Sequence, residues 1–270
     1  VGQQGAESDG VPVVSFQVTD RGGRVLAERE PDRQFYAAST VKLAVLVAAM
    51  RAVDDGTLSL DQELTSTRRF VSAAPGGNEF TMEEESLDPG MPVEGSPISL
   101  RDVLWRMVAV SSNEATNMAV RRVGLDAVAE AFALCGTDRS MMQRLIYDLE
   151  GRDAGLTHLV TARDLAAVMR AIVSGLAASP KSTGVMVSML EAQQIAYLGA
   201  GLPEGTRFGS KSGWVQGIQH DVAFVAPSGD LDGADTYVVA VCTRGYAEAE
   251  ATELLAAVSR LAWDLIGDAS

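Results

Sequence analysis

Ser39-Thr40-Val41-Lys42 sets a hydroxyl and an amine three residues apart at the head of an apolar stretch that runs to Met50. Residues i and i+3 of a helix share a face, so the amine of Lys42 can reach the hydroxyl of Ser39. Burial disfavours the charged form of lysine, and a neutral amine can accept the serine proton and create a nucleophile. A helix N-terminus at Ser39 would favour the negative charge that develops there. The plainer reading is a serine cap followed by a lysine whose stem snorkels to solvent. Lysine usage bears on the choice: of 22 basic residues only Lys42, Lys181 and Lys211 are lysines. Arginine keeps its charge at any ordinary pH, whereas a buried lysine can lose it.

Two further short motifs could complete such a site. Ser111-Ser112-Asn113 follows the apolar stretch of "LRDVLWRMVAV". Its hydroxyl could relay a proton and its amide could hold a substrate carbonyl; an ordinary helix cap is the plain alternative. Lys211-Ser212-Gly213 lies inside the strand-like "TRFGSKSGW". Strand alternation puts Lys211 and Gly213 on one face and Ser212 on the other. The glycine admits a ligand close to the backbone, and the lysine would attract a carboxylate. A charged edge strand that resists aggregation is the plain alternative there. Other routes to a nucleophile are poorly supplied. Only His158 and His220 are available for a Ser-His-Asp arrangement, and the G-x-S-x-G elbow is missing. HExxH, paired CxxC, P-loop and GxGxxG are missing too, so neither cofactor nor metal is expected.

The elements that must position these residues divide into three blocks. "VPVVSFQVTD" and "GRVLAERE" flank a turn at "DRGG" and read as a hairpin. "TRFGSKSGW", "HDVAFVAP" and "TYVVAVCTR" add three strands, and "AEAEATELLAAVSRLAWDLIG" closes the sequence as an amphipathic helix. The middle is helical. Ser39 to about Asp54 is apolar nearly all round and reads as a buried helix. Ser99 with Asp102, and Thr161 with Asp164, stand at capping-box spacing, with Asp in place of Glu. The second of these helices ends near Gly175. "NEATNMAVRRVG" and "DAVAEAFALCG" are shorter helices. The economical architecture is α+β: an antiparallel five-stranded sheet built from both chain ends and flanked by helices, with an all-helical lobe inserted. Residues 1–38 and 200–270 form the sheet lobe, 39–199 the helical lobe, and the cleft between them holds the site.

In this order and these settings, S-x-x-K, S-x-N and K-[ST]-G resemble the penicillin-recognising serine enzymes, and the spacing is most similar to that of a class A serine β-lactamase. The resemblance covers nearly the whole chain. "SSNEATNMAV" is similar to the family's S-D-N-x-x-x-N segment, with Asn117 at its second asparagine, and "LVTARDLAAVMRAI" to the helix after the Ω loop. It implies Ser39 as the acylated nucleophile, Lys42 as its proton acceptor or part of the proton relay, and Ser111 as proton donor to the leaving nitrogen. Asn113 would hold the substrate's side-chain amide, and Lys211 with Ser212 the ring carboxylate. Gly213 would give close approach, the backbone N–H groups of Ser39 and Trp214 would form an oxyanion hole, and His220 would touch the carboxylate or serve structure. The pattern departs from the family at the Ω loop. The E-x-x-L-N that supplies the deacylating base is replaced by "MMQRLIYDLEGRDAG". Asp148 and Glu150 are the carboxylates at hand, as bases or as solvated loop charges. The segment Arg68–Pro97 is longer than the family norm. It reads as an irregular surface connection or as a border of the cleft.

The implied activity is β-lactam opening through an acyl-enzyme, with slow release for want of the glutamate. A D-Ala-D-Ala peptidase, a small-ester hydrolase and a non-turnover penicillin sensor are the alternatives. A formal net charge of -14 argues against nucleic acid and anionic membranes as partners. No stretch approaches a membrane span. The expected partner is therefore a small molecule, and a monomer is expected. The polar opening "VGQQGAESDG" suits an exported protein, so an extracytoplasmic address is expected. Cys135 and Cys242 are expected as buried free thiols.

Overall fold

The first hairpin pairs β1 (Val13–Asp20) with β2 (Val25–Arg29). The computed structural model describes residues 11–267, so the polar opening at 1–10 lies outside the described residues. The hairpin turns at Gly23, which has φ 96°, and the Asp20 carboxylate accepts the Arg24 N–H at 2.9 Å. After the short β3 (Phe35–Tyr36), a 3-10 turn at Ala38–Val41 carries Ser39 and runs directly into α1 (Lys42–Asp54). The sequence predicts one helix from Ser39; its first turn is wound more tightly than the rest. Lys42 to Met50 is buried on every side, as its composition requires.

Four short strands follow: β4 (Glu63–Thr65), β5 (Arg69–Val71), β6 (Glu79–Thr81) and β7 (Pro97–Ser99). β4 pairs with β7 and β5 with β6, so the Arg68–Pro97 segment contains a hairpin and is not wholly irregular. Then come α2 (Leu100–Ala109), α3 (Asn113–Val123), α4 (Leu125–Leu134), β8 (Met141–Met142), α5 (Leu149–Asp153), β9 (His158–Val160), α6 (Ala162–Val173) and α7 (Pro180–Glu191). The caps are half of what the spacing predicts. Ser99 and Thr161 accept the N–H of Asp102 and Asp164 at 3.1 and 3.0 Å. The reciprocal arm is missing, because aspartate is one methylene shorter than glutamate. Asp102 takes the Ser99 hydroxyl instead, and Asp164 takes Arg139 N–H and the Ser140 hydroxyl.

The chain closes with β10 (Arg207–Val215), β11 (Ile218–Ala226), β12 (Tyr237–Arg244) and α8 (Glu248–Gly267). The five-stranded antiparallel sheet has the order β10-β11-β12-β1-β2. Alternation divides its faces: Val222, Phe224, Val238, Ala240 and Cys242 join the core of the helical block. Ala223, Val225, Val239 and Val241 pack with Leu255 and Ala262 of α8. Cys135 and Cys242 are buried free thiols. Among the described residues no helix is long and apolar enough to cross a membrane.

His158 fixes the approach to Ser39. Its backbone carbonyl accepts the Ala37 N–H at 3.1 Å, while its fully buried ring lies 5.9 Å from that of Tyr36. Neither ring nitrogen has a hydrogen-bond partner among the described residues. Burial first, and the charge of Arg144 second, push its pKa from 6.5 down to about 3. The native state therefore refuses a proton that the unfolded chain accepts below 6.5, and stability falls with pH from there towards the native value. His158→Phe is expected to raise the melting temperature at acidic pH more than at alkaline pH. The difference at about pH 5 corresponds to about 2 kcal/mol. Equal shifts in thermal scans at both pH values would contradict this account.

Candidate active site

Three chain segments meet where α1 begins. The turn bearing Ser39 is pinned by Thr40, whose hydroxyl and N–H both donate to Ala37 O at 2.6 and 3.2 Å. Ala38, immediately before Ser39, has φ 47°, a left-handed conformation that a non-glycine residue holds only under constraint. β10 lies against this turn. A Cβ on Gly213 would stand 2.8 Å from Ser39 N and 2.9 Å from Thr40 N. Only glycine lets the strand backbone come this close.

Lys42, the first residue of α1, has no exposed surface. Its amine donates to Ser111 O at 2.7 Å, Asn113 Oδ1 at 2.9 Å, Ser111 Oγ at 3.2 Å and Ser112 O at 3.4 Å. These oxygens come from the turn between α2 and α3, where Ser111 is left-handed (φ 60°). Ser112 is the N-cap of α3 and accepts the Ala115 N–H at 3.2 Å. From the other side the amine of Lys211, also fully buried, reaches Ser111 Oγ at 3.1 Å and Ser212 O at 2.8 Å. The Ser111 hydroxyl thus sits between two lysine amines.

Two ammonium groups around one hydroxyl repel, and both are desolvated. The pKa of Lys42 lies well below its ordinary value because of burial, then the charge of Lys211, with Glu114 opposing. Burial brings Lys211 down to about 7, opposed by Asp221. Asp221 on β11 is itself pushed up to about 7 by burial, and accepts the Leu198 N–H at 3.0 Å. Burial thus lowers the pKa of both amines, and the charge of Lys211 lowers that of Lys42 further.

Lys42, Ser111, Asn113, Lys211 and the Ser212 carbonyl are joined by direct hydrogen bonds, and Gly213 brings their strand to Ser39. The Ser39 hydroxyl forms no hydrogen bond among the described residues, so the direct contact with Lys42 that the helix spacing predicts is not made; the Lys42 amine is turned to the Ser111–Asn113 turn instead. Ser212 is buried, while Trp214, two residues on and on the same face of β10, is 49% exposed. His220 has both ring nitrogens engaged: Nδ1 accepts the Thr243 N–H at 3.1 Å, so Nε2 donates to Tyr36 O at 3.0 Å. With no exposed surface it serves structure, and the expectation that it touches a carboxylate is corrected. Burial holds its pKa at about 4.

Asp148 and Glu150 are likewise occupied. The fully buried Asp148 accepts the Ser72 hydroxyl at 2.7 Å and the N–H groups of Ala73 and Gly151, each at 2.8 Å. Glu150 takes the N–H and side-chain amide of Asn78 at 2.9 and 3.2 Å. Both carboxylates fasten the 141–157 segment to the β5–β6 hairpin, and neither forms a hydrogen bond with Ser39, Lys42 or Ser111. That corrects the expectation of a base at either position. Asn117 anchors the same segment from the other side: it accepts Ile146 N–H at 2.8 Å and donates to Ile146 O at 2.9 Å.

A cavity of about 620 Å³ opens beside the cluster, lined by Ser86, Asp88, Trp105, Ser111, Asn113 and Gln194. The Arg68–Pro97 segment therefore shares a cavity with Ser111 and Asn113, although neither Ser39 nor β10 lines it. Sequence reasoning missed Asp88, Arg106 and Glu114, which hold that wall. The adjacency of Glu114 to Asn113 was the one available signal. Among the described residues no cluster of His, Cys, Asp and Glu is arranged to hold a metal ion.

A family model described as "Beta-lactamase enzyme family" matches residues 4–266. No curated protein matches. Among solved structures, a beta-lactamase from Sphaerobacter thermophilus DSM 20745 is 30% identical, with TM-score 0.78 over 95% of this chain and 92% of that one. A mutant of PBP-A, solved as an acyl-enzyme complex with penicillin G, is 25% identical, with TM-score 0.77 over 95% and 91% of the two chains. A variant of the class A beta-lactamase of the last common ancestor of Gram-negative bacteria is 24% identical, with TM-score 0.74 over 92% and 90%, and shares the fold.

Proposed function

The chain belongs to the beta-lactamase enzyme family, and from that premise we propose that it is a serine hydrolase acylated on Ser39 by β-lactams. The observation that carries this reading is the Ser111 hydroxyl held 3.2 Å from Lys42 Nζ and 3.1 Å from Lys211 Nζ, on a strand whose glycine abuts Ser39. The neutral amine of Lys42 takes the Ser39 proton as Oγ bonds to the lactam carbonyl carbon. The N–H groups of Ser39 and Trp214 stabilise the oxyanion. As the C–N bond breaks, Ser111 gives its proton to the leaving nitrogen and recovers one from the Lys42 ammonium. Charged Lys211 and the Ser212 hydroxyl bind the ring carboxylate. Asn113, whose Oδ1 is committed to Lys42, offers its amide N–H to the acyl side chain.

Release of the acyl group needs an activated water. With Asp148 and Glu150 both fastened to the 72–78 segment, neither serves as its base, and the acyl-enzyme is long-lived. The same observation favours a second reading: a D-Ala-D-Ala peptidase, or a small-ester hydrolase, that β-lactams trap. The PBP-A mutant captured with penicillin G supports acylation as the common step. Incubation with penicillin G followed by intact-mass and peptide analysis is expected to find one whole penicillin on Ser39, with a stoichiometric burst and slow turnover. Nitrocefin, a D-Ala-D-Ala peptide and p-nitrophenyl acetate, assayed in parallel, separate the readings. Neither adduct nor hydrolysis with any of them would end the proposal.

A further inference from the structure

The chain around Asp88 forms part of the wall of the cavity beside Ser111. Leu87, Asp88 and Pro89 line the cavity beside Ser111, and they also line a second cavity of about 600 Å³ on their far side, together with Ser66, Arg68 and Met91. This strap runs from Glu84 to Glu94, with Leu87 and Met91 packed against the core and Asp88 between them lining both cavities. Its far end is tied down: Pro92 O accepts the Ser66 hydroxyl at 2.9 Å, and Glu94 pairs with Arg68 and Arg69 at 3.4 and 3.2 Å. Its middle is held by the polar contacts of Asp88 beside the packing of Leu87 and Met91. The Asp88 carboxylate takes both Nε and Nη2 of Arg106, at 2.7 and 2.8 Å. Its N–H donates to Glu114 Oε1 at 2.7 Å.

Glu114 is 3% exposed, and a carboxylate is buried only where it is well partnered. Its second oxygen accepts the Ser112 hydroxyl at 3.1 Å. One buried side chain therefore joins the strap to the turn that carries Ser111, Ser112 and Asn113. We propose that Glu114 is a positioning residue whose carboxylate latches the strap against the Ser111–Asn113 turn, so that the strap forms the wall on which the acyl side chain of the substrate packs. The second half of this inference rests on the hydrolase reading given above; the first half does not.

The test pairs hydrogen exchange with acylation. In Glu114→Ala, amides of residues 84–94 are expected to exchange roughly tenfold faster or more, the factor that loss of a hydrogen bond to a buried charge implies, while α1 amides hold their rates. Apparent affinity for penicillin G should weaken about tenfold at a nearly unchanged limiting acylation rate. Reaction with p-nitrophenyl acetate, which has no side chain to pack, should stay within about twofold, since only ground-state binding is lost. Glu114→Gln keeps an oxygen for the Asp88 N–H and should recover much of both effects. Arg106→Gln, which frees Asp88 from the other side, should act in the same direction and serves if Glu114→Ala does not fold. Unchanged exchange at 84–94, or equal slowing of both reagents, overturns the proposal. Should the wild type take no penicillin adduct, the hydrolase reading fails while exchange alone still decides the latch.

Discussion

Lys42→Met is expected to lower acylation by penicillin G by roughly 10⁴-fold, the upper range for loss of a general base, while Ser39→Ala forms no adduct at all. Methionine is unbranched and one atom shorter than lysine, so it fills most of the same space while removing the amine that gathers Ser111, Ser112 and Asn113. Lys42→Arg should fail almost as badly, because a guanidinium cannot give up its proton to become a base. The wild-type pH profile tests the same point. The depressed pKa of Lys42 means that its neutral form, and so the acylation rate, grows as pH rises. Lys211 titrates at about 7, so its ammonium is lost above that value, and with it the hold on a substrate carboxylate. Acylation by penicillin G should therefore decline as pH rises past about 7, whereas reaction with p-nitrophenyl acetate, which carries no carboxylate, should show no such decline. Stopped-flow acylation rates against pH for both reagents check this. A Lys42→Met protein that acylates at near the wild-type rate would remove the amine from the mechanism.

Gly213→Ala is the second large effect. The new methyl would stand 2.8 and 2.9 Å from the backbone nitrogens of Ser39 and Thr40, and 3.2 Å from the Ala38 Cβ. No flexible side chain is available to yield, so β10 or the Ser39 turn must move. The turn is braced by Thr40 and by the Ala37 N–H bond to His158 O, and β10 is an edge strand paired only with β11. The strand is the part that gives, carrying Lys211 and the Trp214 N–H away from Ser39. Displacing one oxyanion donor is worth about 10²–10³ in rate, and overpacking typically costs about 1–3 kcal/mol in stability. Acylation kinetics and thermal scans on the variant check both figures. Acylation within threefold of wild type would mean that the β10 backbone does not face the reacting carbonyl.

Sequence periodicity reached much of this protein. The five sheet strands and the helices α1 to α4, α6 and α8 carry apolar repeats long enough to read, and the caps at Ser99 and Thr161 mark where two of them start. Strands of two or three residues, such as β3, β8 and β9, hold too few residues to show any period, and the Ser39 turn is tightened by contacts that lie far away in the chain. α7 was not predicted, although Ser179 caps it and Pro180 opens it, because its apolar residues are interrupted by small polar ones.

Residue type by itself determined which groups can do the chemistry: a hydroxyl and an amine one turn apart, a second hydroxyl beside an amide, and a lysine before a glycine. Those choices are local, since covalent spacing on a helix or strand fixes them. Tertiary structure alone decided which groups remain available. Asp148, Glu150 and His220 have suitable chemistry, but partners remote in sequence hold each of them: Ser72 and Ala73, Asn78, and Tyr36 with Thr243. The same folding buried Lys42 and Lys211 around one hydroxyl and set Glu114 behind the cleft wall. Burial and hydrogen-bond partnership are properties of the packed chain, and they decide whether a titratable group can exchange a proton with a substrate.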